Sequence, residues 1–478
     1  MAYPVPNPEL LPGRVLYLAK GRPSVNQGFD RAWDVLRDPT FPYGENLLQF
    51  IWEAQLFDRH ALRTTDGLPV EVIRPGRLHS NAGPDLQEAQ LRIVGQLWAG
   101  SVEVHVHSSE WNAHHHQSDP AYDGVVLHVV FEHDADVRTL SGRVLPTVEL
   151  RSRISTDSLA LFAELMRSRA VVPCAGLLSS VDPTRLNTWL ESVLIERLIR
   201  KTEQAEMLFS QLGDDGPTTF YHLLARAFGL GVNAEPFGML AHTLPWKLLL
   251  RHRDQQLRIE ALLFGQAGLL RTDYVDAYPV LLWREHAALA FAHDLRPTPL
   301  AAWKFGRMRP MNFPTVRIAQ FAALIGRLDG DVLTLLDHDN LAPLRALLEA
   351  EPSTYWLSHY LFDRPSAERA KRLGSGAADH LIINAVVPML FLLARVKGRQ
   401  ALRDRAVRLL EQMPTERNSI TEGWASLGLK ADSAARGQAL IELRNGYCTP
   451  RKCLLCGIGR HLMRSVRPFD PEFHFPPK

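Results

Sequence analysis

The sequence predicts an α/β protein: a strand-rich, mixed-sheet amino-terminal part followed by a large all-helical region. Three observations predict it. Between Pro69 and Leu150 apolar residues recur in short runs separated by turn residues, as half-buried strands require. From Ser155 onward apolar residues recur at helical spacing, with no clean strand alternation. The chain has 478 residues, more than one hydrophobic core usually organises, so two or three domains are expected.

The elements follow in order. Residues 1–44 are rich in Pro and Gly, with a short helical stretch around Phe29 to Arg37, and read as an irregular extension. Asn46 is placed to cap a helix from Leu47 to Phe57, whose Leu48, Ile51, Trp52, Gln55 and Leu56 form one mostly apolar stripe. Strands are predicted at Pro69–Arg74, Leu86–Val94, Leu97–His107, Val125–Glu132 and Val144–Leu150. Gly95-Gln96 supplies a tight turn, and Pro120 and Gly124 confine a short helix to Asp119–Asp123. Helices are predicted within Leu186–Met207, Phe220–Phe228, Trp246–Phe264, Val316–Leu328, Pro343–Glu351 and Val387–Gln412. The expected divisions are therefore 1–44, 45–154, a helical region 155–438, and a basic, cysteine-containing segment 439–478.

Composition narrows the class. A hydrophobic content of 46%, a charged content of 22% and a net charge of +2 describe an ordinary globular protein, without a global charge that advertises nucleic acid or membrane. Met1-Ala2-Tyr3-Pro4 lacks the basic-then-apolar pattern of a secretion signal, and Leu381–Ala394 is interrupted and short for a bilayer. Four cysteines make no disulfide scaffold. The expectation is a cytoplasmic protein with no membrane partner.

The run from Asn81 to His128 concentrates acidic and imidazole groups. In Ser101-Val102-Glu103-Val104-His105-Val106-His107, strand alternation sends Glu103, His105 and His107 to one face and the three valines to the other. Such polar groups need solvent, a metal or one another. Two plain readings compete: Asp85, after Gly83-Pro84, as a turn residue capping amides, and the Glu103 face as the wet side of an edge strand. Glu53 is by the same token an exposed helical carboxylate, and Trp111 a core anchor.

The order helix, three strands, short helix, strand, with Pro84-Asp85 opening the second strand and Glu103-Val104-His105 on the third, resembles the core of the PD-(D/E)XK nuclease superfamily. The resemblance implies a restriction-endonuclease-like fold for 45–154, with Asp85 and Glu103 holding Mg²⁺ or Mn²⁺, His105 in the place usually taken by Lys, and Glu53 as the accessory helical carboxylate. Phosphodiester cleavage suits this set, since a divalent ion activates water and neutralises charge on phosphate oxygens. His105 can orient or deprotonate water but carries no permanent charge. A broader set of residues also resembles an uncharacterised bacterial family defined only as a domain of unknown function. These are Asn81–Asp85, Gly100–Glu103, Trp111 with His114 and His116, Asp119 through His128, Arg309–Pro314 and the carboxy-terminal cysteines.

Two further groups suggest metals. His114 and His116, with His105 or His107 and with Asp119 as a completing ligand, offer a nitrogen-rich zinc site; His128, inside an apolar strand, reads as a satisfied core histidine. Cys448, Cys453 and Cys456 place three thiols in one loop, and the fourth ligand is either Cys174 or His461; both zinc and iron–sulfur ligation fit this spacing. Basic residues flank aromatic ones at Lys304, Arg307, Arg309 and Arg317 beside Trp303, Phe305 and Phe313, and at Arg451 and Lys452, which suits nucleic-acid phosphates as well as a solvated basic face. The leading expectation is a metal-dependent nuclease acting on DNA or RNA. The alternatives are a non-catalytic nucleic-acid-binding or assembly protein with a structural metal, and a zinc hydrolase built on the histidines.

Overall fold

The computed structural model describes residues 41–79, 82–328 and 330–466. The chain forms an α/β protein of two compact units. One comprises the residues up to Ser168 together with those from Gly459, and the other runs from Arg169 to Ile458. These divisions differ from those read in the sequence. The helix Thr156–Arg167 stays with the sheet, and most of the expected carboxy-terminal segment, up to Ile458, belongs to the helical unit. Most of the predicted amino-terminal extension, residues 1–40, lies outside the described residues. Phe41, however, is buried, its ring 4.4 Å from that of Phe131.

The sheet unit opens with helix α1 (Glu45–Ala54). It begins one residue before the predicted cap Asn46, after Gly44, and stops where Gln55 turns left-handed at φ 56°. Its buried stripe of Leu47, Leu48, Phe50, Ile51 and Trp52 packs inward, and the Trp52 indole donates to Pro75 O at 3.0 Å. Strands β1 (Val70–Arg74), β2 (Arg77–Leu78), β3 (Leu86–Ile93), β4 (Gln96–His107), β5 (Val125–Glu132) and β6 (Thr147–Glu149) form one mixed sheet. The order is β1-β3-β4-β5-β6, with β2 also pairing β3. β1, β3 and β4 are antiparallel, whereas β4, β5 and β6 are parallel. The β3–β4 turn is Val94-Gly95, with φ of 50° and 79°, one residue earlier than predicted; two positive φ values are what a type I′ hairpin requires.

β4 is an inner strand, and its second half, Val102–Val106, is buried on both faces. The edge-strand reading of Glu103 and His105 therefore gives way. β5 is buried along Val125–Phe131, consistent with a parallel strand covered on both sides. Gly100 is needed where these strands meet, since a Cβ there would lie 2.6 Å from Gly124 O. The β4-to-β5 crossover carries helix α2 (Glu110–Ala113) and two 3₁₀ turns, His116–Ser118 and Pro120–Tyr122. Trp111 on α2 is fully buried, with Val125, Val137 and Leu145 around it, and its indole donates to Arg138 O at 3.0 Å.

The second unit is predominantly helical rather than all-helical: it includes a small hairpin, His359–Leu361 with Arg364–Pro365. Its longest helix, α4 (Pro183–Gln211, with α3 being Thr156–Arg167), is capped by the Asp182 carboxylate accepting from the Arg185 amide. The segment Ser375–Lys397 is 23 residues of continuous helix with a π-helical stretch, longer than the apolar run read from sequence. It is long and apolar enough to cross a membrane, and 78% of its most apolar window is buried, as for a core helix.

Candidate functional site

The site forms where β3 and β4 pair. Register places Leu86 opposite Val102, so Asp85, just before β3, comes alongside Glu103. The Asp85 amide donates to Glu103 Oε2 at 2.9 Å, and the Val104 amide donates to Asp85 Oδ2 at 3.1 Å. Each carboxylate is thus fixed by the other strand's backbone. Asp85 does cap an amide, as the turn reading held, and is nonetheless part of the site.

Glu103 turns its second oxygen toward the imidazoles. Glu103 Oε1 lies 3.3 Å from His116 Nε2 and 3.7 Å from His105 Nε2. His105 Nε2 lies 3.1 Å from His114 Nδ1. Ligand atoms of His105, His114 and His116 all lie within 4.8 Å of one another. His114 and His116 both reach His105 because His115 between them adopts a left-handed φ of 63°. His116 stacks on Tyr122 at 3.7 Å between ring centroids and meets the edge of Trp111. Trp111 is therefore the core anchor expected and also a wall of this site.

Burial and charge explain the electrostatics. Burial, and then Glu103, push the Asp85 carboxyl up to about 7, against hydrogen bonds from Gln49 and Val104 and the attraction of His116. Glu45, on α1, is pushed to about 8 by burial and then by Glu110, Asp85 and Glu103. His105 is driven down to about 2 by burial and the imidazoles of His128, His114 and His116; burial likewise takes His128 down to about 3. Both rings are neutral. His105 Nδ1 lies 2.8 Å from His128 Nε2, so one N–H joins them. If it sits on His105, the lone pair of His105 Nε2 faces Glu103 and His114.

The three imidazoles are spaced so that they could hold a transition metal. Tetrahedral ligands held about 2.0–2.2 Å from zinc stand about 3.3–3.6 Å from one another; His105–His114, Glu103–His116 and Glu103–His105 are 3.1, 3.3 and 3.7 Å apart. His116 Nε2 is buried without a hydrogen bond, which is costly unless something else meets it. His105 is oriented from behind by His128, and Glu103 by the Asp85 amide, as metal ligands commonly are.

Other predicted residues fall elsewhere. Glu53 pairs with Arg460 at 2.6 Å, and Arg460 also lies over the Phe50 ring. The helical carboxylate coupled to Asp85 and Glu103 is instead Glu45, which sequence reasoning missed. Asp119 caps the amide of Ala121 at 2.9 Å, leaving Glu103 in the role considered for it. The amide of His107 donates to Glu110 Oε2.

In the helical unit Lys304, Arg307 and Arg309 are exposed, as is Lys452, while Arg451 is half-buried. Arg317 is buried against Asn312 and Gln320, and the Trp303 indole donates to Ala267 O, so both are structural. All four cysteines are buried and free of disulfides.

A mixed-sheet unit carrying a carboxylate–imidazole cluster, buried at Glu103, His105 and His116 and open at His114, together with a helical unit defines an α/β protein with a concentrated polar centre in its sheet. The chain belongs to the family described as "Protein of unknown function (DUF2851)", whose pattern matches residues 45–419. No curated protein and no solved structure matches the chain.

Proposed function

We propose that this protein is a metal-dependent hydrolase cleaving phosphodiester bonds in nucleic acid, with its metal held by Glu103, His105, His114 and His116 beside Asp85. The observation that carries the reading is the convergence of the His105, His114 and His116 imidazoles within 4.8 Å of one another, with Glu103 Oε1 3.3 Å from His116 and 3.7 Å from His105. Carboxylate-based nuclease and histidine-based zinc readings meet here, because His105 belongs to both sets and Glu103 lies beside the histidines. The imidazole-rich donors favour Zn²⁺ or Mn²⁺ over Mg²⁺, which prefers oxygen.

A bound divalent ion would supply Lewis acidity toward phosphate and water. The chain's own residues supply the rest. Asp85, with a carboxyl near neutrality, is suited to take a proton from attacking water and return it to the leaving oxygen. Glu45 adds a second proton-holding carboxyl beside it. The nucleic-acid substrate is supported by the placement of Asp85 and Glu103 on neighbouring strands after α1, which parallels the PD-(D/E)XK arrangement, and by exposed Lys304, Arg307 and Arg309.

The test is cleavage of labelled single-stranded, duplex and branched DNA and RNA by metal-stripped protein resupplied with Zn²⁺, Mn²⁺ or Mg²⁺. Cleavage that needs Zn²⁺ or Mn²⁺ and vanishes in Glu103→Gln is expected. Metal-independent cleavage, or none with any substrate, would contradict the reading.

A further inference from the structure

Building on the hydrolase reading, we propose that an open hollow across β1, β3 and β4 receives a single-stranded stretch of the nucleic acid next to the scissile bond, with Arg74 holding one of its backbone phosphates. The hollow measures about 550 Å³, and its lining includes Arg74, Gln87, Glu88, Gln90, Ala99 and Ser101.

Strand register shows which face of the sheet it occupies. Arg74 on β1 stands opposite Gln90 on β3, and Gln90 stands opposite Ala99 on β4, so the three form one rung and share a face. Along β4 the two-residue alternation carries that face from Ala99 through Ser101 to Glu103 and His105. The other face is the covered one: Ala89, Leu91 and Ile93, which alternate with Gln90 and Arg92, are buried. The hollow and the carboxylate–imidazole cluster are therefore neighbours on one face of one sheet. At about 4.8 Å between strands and about 3.3 Å per residue, Arg74 Cα stands roughly 16 Å from Glu103 Cα, a span of two or three nucleotides of an extended strand.

Bulges shape the hollow. Leu86 pairs with Val102 but Ala89 with Gly100, so β3 carries one residue more than β4 over this stretch, and Glu88 there has a left-handed φ of 59°. β1 shifts register between Val72 and Arg74 as well. A bulge bends its strand and re-aims the side chains, and two in neighbouring strands make a concave surface from a pleated one.

The lining suits a phosphate-bearing strand. Arg74 is exposed and forms no ion pair among the described residues, whereas Arg77 pairs with Glu88 at 3.9 Å and Arg92 with Glu71 at 2.5 Å. The Glu88 carboxylate is thus offset by Arg77, and the cation left over is Arg74. A guanidinium fork matches two oxygens of a phosphate. Half-buried Gln87, Gln90 and Ser101 bring amide and hydroxyl groups that can bond sugars and base edges. A hollow of this volume has the size of a small-ligand site, with room for a nucleotide or two of one strand and not for a duplex.

The test is fluorescence anisotropy with labelled single-stranded DNA and RNA oligonucleotides, on the full chain in chelator so that binding is read without cleavage. Arg74→Ala should weaken binding roughly 10-fold and flatten the slope of log affinity against log salt by about 0.7, the value for one phosphate of a single strand. Arg74→Lys should recover the slope, and Arg92→Ala, which removes the partner of Glu71 on the same face, should leave it unchanged. Gln90→Glu, which adds a negative charge beside Arg74, is a second probe of the same rung and should also weaken binding. Melting temperatures show that each variant is folded. Absence of single-strand binding, or binding that ignores both Arg74→Ala and Gln90→Glu, would overturn the proposal. Displacement of the strand by mononucleotide at equal affinity would also overturn it, assigning the hollow to a small phosphate-bearing molecule. Strand binding that depends on Arg74, in a protein that cleaves with no metal, would support the strand site and count against the hydrolase reading, so the two failures are told apart.

Discussion

His105 on β4 and His128 on the adjacent parallel strand β5 face each other with Nδ1 and Nε2 2.8 Å apart, and both rings are neutral. One proton between two neutral imidazoles sets the tautomer of each. With the N–H on His105 Nδ1, its Nε2 is an acceptor aimed at the cluster. His128→Leu, which fills the space without accepting a hydrogen bond, should therefore weaken metal binding roughly 10- to 100-fold, as loss of such supporting partners does. Calorimetric titration of Zn²⁺ into metal-free protein measures this; unchanged affinity would mean that His128 only fills the core.

The two helical and strand carboxylates should separate cleanly. Glu103→Gln should lower metal-dependent cleavage by at least roughly 100-fold, since it removes a ligand rather than a distant charge. Glu53→Gln removes a partly buried pair with Arg460 and should cost stability of order 1 kcal/mol with cleavage preserved. Initial rates and thermal melts on both variants decide it, and an activity loss in Glu53→Gln equal to that of Glu103→Gln would return Glu53 to the site.

Asp85 and Glu45 give metal-free protein a pH signature. In the folded chain their carboxyls lie near 7 and 8, against ordinary values of 3.8 and 4.5, so at pH 6.5 the fold binds protons that the unfolded chain has released. Between pH 6.5 and 8 the stability contributed by these groups goes on falling, completing a loss that begins near the ordinary carboxyl values, because the folded state holds more protons than the unfolded chain until its own carboxyls ionise. Below that window His105 and His128 act the other way, since the unfolded chain protonates its histidines while the fold keeps them neutral. Metal-free Asp85→Asn should therefore melt above wild type at pH 8 and lose less between pH 6.5 and 8. Identical slopes would show that Asp85 ionises as an ordinary carboxylate.

The exposed basic residues make a salt-dependent prediction. If Lys304, Arg307 and Arg309 each meet a phosphate of duplex DNA, replacing all three with Ala should flatten the slope of log affinity against log salt by about 3. Fluorescence anisotropy across a salt series measures it, and an unaltered slope would assign these residues to a solvated face.

How legible the site was in the sequence depends on the kind of information needed. Strand alternation located β4 and the common direction of Glu103 and His105, and the Pro84-Asp85 turn placed Asp85 beside them, because period-two patterns and turn residues are local. The choice between Glu45 and Glu53 was not local. The two are eight residues apart, about 80° different around a helix at about 100° per residue, and only the docking of α1 decides which faces the strands. Asn46 is not the cap, since the helix starts from Gly44, two positions earlier. Convergence of His114 and His116 on Glu103 rests on a left-handed His115, for which a histidine run gives no warning. Asp119 looked like a ligand from proximity alone, but its carboxylate is spent on a neighbouring amide.

The central claim is that Glu103, His105, His114 and His116 hold one metal ion, and anomalous diffraction from crystals soaked separately in Zn²⁺ and Mn²⁺ tests it most directly. A single strong peak is expected in the sheet unit, about 2.0–2.2 Å from Glu103 Oε1, His105 Nε2, His114 Nδ1 and His116 Nε2 in the zinc crystals. Fully formed side chains around that position with no anomalous peak, at saturating metal concentrations, would contradict it.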